Sequence, residues 1–313
     1  MTKVSVITPI YNSERYLEQC LSSLVSQTLD DIEFIIINDG STDKSAEICR
    51  KYAQQDSRIK FIDKQNEGMG KTYNLGIELS QGEYIGFVES DDFADKHMFE
   101  DLYNLARKYD VDIAKGAYFK YSTSDNRDIK DLEFANYNSY NILNIDNAPE
   151  LVISHATLWS GIYRKDFITE NNIRYNETPS AAFQDVAFTH KVMMLAKKIV
   201  ITPNAYLHYR IDNANSSIHS KDRANSMYDE YMELDNFLAE HPDIKAKINN
   251  IKLVKQFGDC MWNYDRIADE YKSEFIKKVA HQFLQYKKAG ELGIKFYTNV
   301  DAHLFNIMMN LID

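Results

Sequence analysis

Apolar and polar positions follow one another in regular blocks through the first third of the chain. VSVITPI at 4–10 is a nearly unbroken apolar run, and Leu17, Cys20, Leu21, Leu24 and Val25 then recur at helical spacing. FIII at 34–37 predicts a second strand, closed by the turn Asn38-Asp39-Gly40-Ser41. Ala46, Ile48, Cys49 and Tyr52 predict the inner face of a helix that Ser41 or Thr42 can cap. Residues 59–62 predict a third strand. Gly68 and Gly70 precede a helix carrying Tyr73, Leu75, Ile77 and Leu79, and 84–88 predicts a fourth strand. One more helix and a strand at 111–117 complete the block. Strands that are apolar on both faces and alternate with helices predict an α/β fold, a parallel sheet covered on both sides.

Ligands of such sheets bind at the carboxyl ends of the strands. That rule gathers Thr8, Pro9, Asp39, Gly40, Lys64 and the run Glu89-Ser90-Asp91-Asp92 onto one rim. The chain then turns polar and rich in Asn, Asp and Tyr from 121 to 149, a surface excursion. Order returns at 159–167 and at 185–200, the latter expected as an amphipathic helix. Beyond Lys221 the pattern is mainly helical, with breaks at His241-Pro242 and near Gly290 and Gly293.

Composition narrows the class. With 313 residues, 44% of them hydrophobic, the chain can bury a substantial core around one large α/β unit and an appendage. A formal charge of −11 argues against nucleic acid as a partner, which calls for a basic footprint. Cys20, Cys49 and Cys260 are an odd, widely spaced set with no CxxC pair, which gives no metal cluster or disulfide framework, and Cys20 and Cys49 lie on the apolar faces of predicted helices, where core filling is expected. The N-terminus, MTKVSVITPIY, lacks a long apolar leader, and no run reaches the roughly 18 apolar residues of a membrane span. A cytoplasmic protein is the default expectation.

YIGFVESDD, at 84–92, is where chemistry shows. Five uncharged residues end in three carboxylates among four positions. Clustered like charges repel and resist desolvation, so a compensating cation is expected. Acids at a strand end can hold Mn2+ or Mg2+ through oxygens, leaving coordination sites for a substrate diphosphate. The plainer account is a solvated acidic turn that caps a helix near Asp95.

Four motifs in order, VSVITPIYNSERYLEQCLSSLVSQTL, FIIINDGSTDKS, NEGMGKTYNLGI and GEYIGFVESDD, resemble the nucleotide-sugar domain of family-2 glycosyltransferases with the GT-A fold. The likeness is strong over residues 1–120 and looser through WSGIYRKDF, FQDVAF and YLHYR. It implies a Rossmann-like nucleotide-binding half at 1–120, an acceptor-binding and catalytic-base half at 121–220, and a helical region at 221–313. It implies that Thr8, Pro9, Tyr11 and Asp39 cradle the base, that Asp91 ligates the metal, and that Glu89 approaches the donor's ribose or sugar. Asp92 belongs to the same motif. Glu89 departs from the usual Asp, and its extra methylene leaves open whether it meets metal or donor. Asp185 matches the catalytic base, with Gln184 where relatives carry Glu. His208 could complete the metal shell and Arg210 could pair with phosphate, in a segment that continues to Ser216 and Ser217. Lys71 stands where an anionic donor needs a cation, although many relatives place an Arg two positions on, here Tyr73. Trp159 could stack on an acceptor sugar or fill the core.

The function implied is inverting, metal-dependent transfer of a sugar from a nucleotide donor, a UDP-sugar, to a hydroxyl of a glycan, glycolipid or glycoprotein in bacterial surface polysaccharide assembly. Two alternatives stand beside it: a non-catalytic sugar-nucleotide-binding subunit, supported by Glu89 and Gln184, and a sugar-nucleotide nucleotidyltransferase, for which PIYNSERY lacks the glycine-rich loop. Lys245, Lys247, Lys252 and Lys255, with Lys277, Lys278, Lys287 and Lys288, could face an anionic membrane carrying a lipid-linked acceptor, or be ordinary solvated helix surface. The segment 304–309 could form a homodimer contact or the last core helix.

Overall fold

The computed structural model describes residues 1–312 apart from 135, 136, 138–140, 179–181, 217–220 and 222, and apart from the Val152 side chain. Ser217 and part of the polar segment 121–149 lie outside the described residues. The chain forms two compact units, Met1–Asn144 with Thr157–Pro179 and Ala196–Ala214, and Ile145–Ala156 with Ser180–Leu195 and Asn215–Asp313.

The first unit is built on a nine-stranded sheet: β1 (Val4–Ile10), β2 (Ile32–Asp39), β3 (Ile59–Lys64), β4 (Tyr84–Phe87), β5 (Phe93–Ala94), β6 (Ile113–Ser122), β7 (Arg127–Lys130), β8 (Gly161–Arg164) and β9 (Ile199–Arg210). The order is β3-β2-β1-β4-β8-β6-β9-β5, with β7 paired to β6. From β3 to β4 every pairing is parallel, as the apolar runs predict. All eight residues of β2 are buried, the pattern of a strand covered on both faces. Beyond β4 the sheet is mixed. β8 enters between β4 and β6, antiparallel to both, while β6 and β9 run parallel. The simple alternation stops once β6 turns back into the β7 hairpin, so the all-parallel expectation holds for the first half only.

Helices α1 (Glu14–Val25), α2 (Ser45–Gln55), α3 (Met69–Leu79) and α4 (Met98–Tyr109) cover this sheet. α1 buries Tyr16, Leu17, Cys20, Leu21 and Leu24. The first two strand-to-helix loops brace one another. Asn12, at φ +49°, donates its N–H to Ser41 Oγ (2.9 Å), and its side chain accepts from the Thr42 N–H (2.8 Å). Asp43 Oδ2 receives the Glu14 N–H and Glu14 Oε2 receives the Lys44 N–H. Ser41 and Thr42 therefore do not cap α2. Its first turn begins at Ser45, whose N–H Asp43 accepts, and the other two residues serve the neighbouring loop.

The second unit is helical, with helices Gln184–Leu195, Ser226–Glu240, Pro242–Arg266, Asp269–Lys288, Ile294–Asn299 and Ala302–Met309. The breaks fall at His241-Pro242 and around Gly290 and Gly293, where proline and glycine signalled them. Phe257, Phe283, Phe296 and Phe305 form its core, with Phe283 and Phe305 centroids 6.1 Å apart. The helix expected over 185–200 ends at Leu195, and Ile199 and Val200 already belong to β9. It is not amphipathic: Val186 through Met194 are all buried. Helix Ser226–Glu240 and the short helix Pro149–Val152 cover it. Lys252 is fully buried, bonded to Asp235 and Gln256, while Lys245, Lys247 and Lys255 pair with Glu291, Asp146 and Asp259. These four lysines thus form no free basic face. In the last helix Phe305, Met308 and Met309 enter the core, and Leu304 and Ile307 are exposed. Among the described residues no helix is long and apolar enough to cross a membrane.

Gly40 closes β2 at φ +73°, and a Cβ there would lie 2.6 Å from the Asn66 amide nitrogen. Gly40→Ala meets both the left-handed strain and that contact, so chemical denaturation should show a loss of at least about 1–3 kcal/mol. A variant as stable as the parent would mean that this turn relaxes freely.

Candidate active site

Parallel pairing sets the rim. Ile10 lies beside Asn38 and Asp39 beside Lys64, while Val88 donates its N–H to Ile7 O, so the turns after β1, β2 and β4 emerge together. Asp39 is buried at the end of β2. Its Oδ1 accepts from the Lys64 ammonium and the Glu67 N–H (2.9 Å), and its Oδ2 from the Gly68 N–H (3.0 Å). The carboxylate thereby anchors the loop that leads into α3. Thr8 is fully buried, with a hydroxyl that has no hydrogen-bond partner among the described residues. Pro9 is half-buried and Tyr11 stands out at 54% exposure. Lys71 is half exposed, 3.7 Å from Glu67.

The acidic turn follows β4. The Asp92 N–H bonds Glu89 O (3.0 Å), folding the turn so that carboxylate oxygens of Glu89, Asp91 and Asp92 all lie within 4.8 Å of one another. Ser90 Oγ meets Ser13 Oγ at 2.6 Å, tying the turn to the start of α1. Tyr73, buried in α3 and stacked on Tyr175, reaches Glu89 Oε1 through its hydroxyl at 3.5 Å. Asn213 Nδ2 donates to Asp91 Oδ2 at 2.7 Å. Asp92 is 1% exposed: its Oδ1 accepts the Arg210 N–H (2.8 Å), and its Oδ2 has no partner among the described residues. Burial holds the Asp92 carboxyl well above the usual range. The neighbouring Asp91 and Glu89 charges add to this, and Arg210 opposes it. A solvated turn does not describe such a residue, and the N-terminal turn of α4 is served instead by Asp95, which accepts the His97 N–H. An all-oxygen donor set with an orphaned buried oxygen fits a hard divalent cation such as Mn2+ or Mg2+.

His208 and Arg210 end β9. His208 stacks between Phe93 and Phe119 (centroids 4.2 and 4.9 Å), and its Nδ1 lies 2.8 Å from Asp128. It is not part of the converging carboxylate group. The Arg210 guanidinium is buried and bonded to Asp91 O, Thr123 and Gln19, so three of its five N–H donors meet protein acceptors. Trp159 is a core residue, stacked on Tyr209 at 5.0 Å and edge-on to Tyr118. Cys20 and Cys49 are buried and free, as core filling requires, and so is Cys260.

Asp185 belongs to the second unit, in the first turn of helix Gln184–Leu195. Phe183 before it has φ +65°, a conformation costly for a bulky side chain. Asp185 remains partly accessible, yet burial pushes its carboxyl up to about 6, against the pull of the helix-start amides of Asp185 and Val186. Sequence reasoning did not find Asn213, Thr123, Gln19 or Ser13. Asn213 and Asp91 lie 122 positions apart, and no periodicity marks such a contact.

An α/β sheet with an acidic turn at the carboxyl end of its fourth strand is the scaffold of nucleotide-sugar enzymes of GT-A type. The pattern described as Glycosyl transferase family 2 matches residues 5–171. The chain belongs to glycosyltransferase family 2. Among curated relatives, glycosyltransferase GlyA of Streptococcus pneumoniae is 42% identical over 123 residues, 39% of this chain and 18% of GlyA. EpsJ of Bacillus subtilis, described as an uncharacterized glycosyltransferase, is 33% identical over 68% of this chain and 62% of its own length. Glycosyltransferase GlyG of S. pneumoniae is 34% identical over 66% of this chain and 70% of GlyG. The chain thus spans less than two thirds of the first two. S. aureus TarS 1-349, solved in complex with UDP-GlcNAc, superposes with TM-score 0.70 at 22% identity, over 99% of this chain and 91% of that one. The mannosyltransferase PcManGT of Pyrobaculum calidifontis, solved with GDP-Man and Mn2+, gives TM-score 0.53 at 12% identity, over 99% and 85%. At these identities the two solved structures establish the fold.

Asp39→Ala would strip acceptors from the Lys64 ammonium and two amides at once. With roughly 1–3 kcal/mol per stranded donor and partial recovery by water, denaturant titration should show a loss on the order of 3 kcal/mol. Asp39→Asn, which keeps one carbonyl, should lose less, and an Asp39→Ala loss below about 1 kcal/mol would remove this anchor from the account.

Proposed function

We propose that this protein is an inverting, metal-dependent glycosyltransferase. It transfers a sugar from a UDP-sugar donor to a hydroxyl of a glycan, glycolipid or glycoprotein acceptor in bacterial surface polysaccharide assembly. The observation that carries the reading is the convergence of Glu89, Asp91 and Asp92 beside the ends of β1 and β2, with a buried Asp92 oxygen left without a donor. Family membership supports the reaction class, and the likeness to TarS bound to UDP-GlcNAc supports the donor class. In this reading residues 1–120 bind the donor, 121–220 carry acceptor contacts and the base, and 221–313 form the helical support.

Asp91, with Glu89 beside it, would hold the cation, which supplies Lewis-acid stabilisation of the leaving diphosphate. Thr8, Pro9, Tyr11 and Asp39 form the nucleotide side of the rim, and Lys71 lies at the start of α3 as a cation for the donor. Asp185 takes the proton of the acceptor hydroxyl as that oxygen attacks the anomeric carbon from the face opposite the diphosphate, which inverts configuration. A carboxyl at about 6 suits the task, being ionised at neutral pH yet more basic than an exposed aspartate. Asp92 and Arg210 hold the turn in shape rather than meeting the donor.

The base must be unprotonated to act, and its ionised fraction falls tenfold per pH unit below its pKa. The rate constant kcat/KM should therefore rise with unit slope below pH about 6 and level off above it. Asp185→Asn should lower kcat about 10²–10⁴-fold while leaving UDP binding unchanged; near-normal turnover would remove Asp185 from the base role. In thermal-shift measurements UDP with Mn2+ should stabilise the protein more than GDP with Mn2+, and Asp91→Asn should lose the Mn2+-dependent part. Equal shifts for the two nucleotides would overturn the donor assignment. Donor hydrolysis that ignores Mn2+ would overturn the metal.

A further inference from the structure

We propose that Asn213 is the positioning residue that fixes how Asp91 meets the divalent cation, and that Arg210 holds the backbone against which it works. The inference rests on the metal reading above and adds residues that the reading does not require. Asn213 Nδ2 donates to Asp91 Oδ2 at 2.7 Å, while Asp91 Oδ1 receives no hydrogen bond among the described residues. The carboxylate thus has one oxygen held by an amide and one oxygen without such a bond among the described residues. A carboxylate held in this way offers a cation one oxygen in a set direction, not a pivoting bidentate face.

The backbone beneath is held as firmly. Arg210 Nε donates to Asp91 O (2.7 Å), Nη2 to Gln19 Oε1 (2.7 Å) and Nη1 to Thr123 Oγ1. Its guanidinium lies over the Tyr16 ring at 4.3 Å and the Tyr121 ring at 5.0 Å, and its own N–H holds Asp92 Oδ1. Arg210 is 3% and Asn213 9% exposed, so neither contact competes with much water. One short segment, from the end of β9 to Asn213, therefore grips two consecutive acids by carbonyl, carboxylate and amide. A planar, five-donor guanidinium can make this set of bonds; a lysine cannot.

Partners that orient a ligating carboxylate are typically worth 10–100-fold in metal affinity. The test is Mn2+ titration of the full chain followed by electron paramagnetic resonance, with UDP present, on the parent, Asp91→Asn, Asn213→Ala and Asn213→Ser, each also melted in EDTA. Asn213→Ala is expected to bind Mn2+ about 10–100-fold more weakly, with its EDTA melting temperature near the parent's and with turnover recovering at high Mn2+. A merely structural asparagine would lower the EDTA melting temperature and leave Mn2+ affinity alone. Should Asn213→Ala fail to fold, Asn213→Ser is read the same way, because its shorter hydroxyl cannot span the contact. Mn2+ affinity within about twofold of the parent, in variants for which Asp91→Asn has lost binding, overturns this inference and spares the metal reading. A parent without saturable Mn2+ binding, or matched by Asp91→Asn, overturns both.

Discussion

Carboxylates crowded at the end of a buried strand repel one another, and the candidate site is organised around that repulsion. Oxygens of Glu89, Asp91 and Asp92 lie within 4.8 Å of one another. At an effective dielectric constant of about 20, two unit charges at that distance cost roughly 3 kcal/mol, and the Asp92 carboxyl, held well above its usual range by burial first and by its neighbours second, eases this by favouring its neutral form. The protein answers with neutral donors and backbone amides: Asn213 to Asp91, the Arg210 N–H to Asp92, the Tyr73 hydroxyl to Glu89. The Arg210 guanidinium bonds the Asp91 carbonyl oxygen and, among the described residues, no carboxylate of the turn. Negative charge is thus held in place and only partly offset, which suits a site whose guest brings positive charge with it.

Parallel strand ends make this placement possible. β1, β2 and β4 deliver their turns to one edge, and each turn is tied to another by side chains: Asn12 with Ser41 and Thr42, Ser13 with Ser90, Asp39 with the amides of Glu67 and Gly68. Gly40 and its positive φ let the second turn pass close to Asn66. Side chains on such a rim are held by bonds across loops rather than by their own elements. The same construction explains why Arg210, at the end of a strand paired with β6 and β5, can serve the turn after β4.

Legibility followed the physics of burial. Strands β1, β2 and β4 were visible because a strand covered on both faces must be apolar throughout, and the acidic turn because three carboxylates in four positions are conspicuous. Helix Gln184–Leu195 kept no amphipathic stripe because it is covered nearly all round, so its C-terminal end was misplaced into β9. Lys252 looked like surface charge and is a buried partner of Asp235, since a lysine's setting depends on an acid that sequence does not place beside it. The antiparallel insertion of β8 and the Asn213–Asp91 contact join segments far apart in the chain. Local pattern carries no information about such pairings.

The account turns on a cation at the acidic turn, and anomalous diffraction from a crystal of the full chain grown with UDP and Mn2+ looks at it directly. It predicts a manganese peak within about 2.5 Å of an Asp91 carboxylate oxygen. A peak elsewhere, or none with UDP clearly bound at the rim, would contradict it.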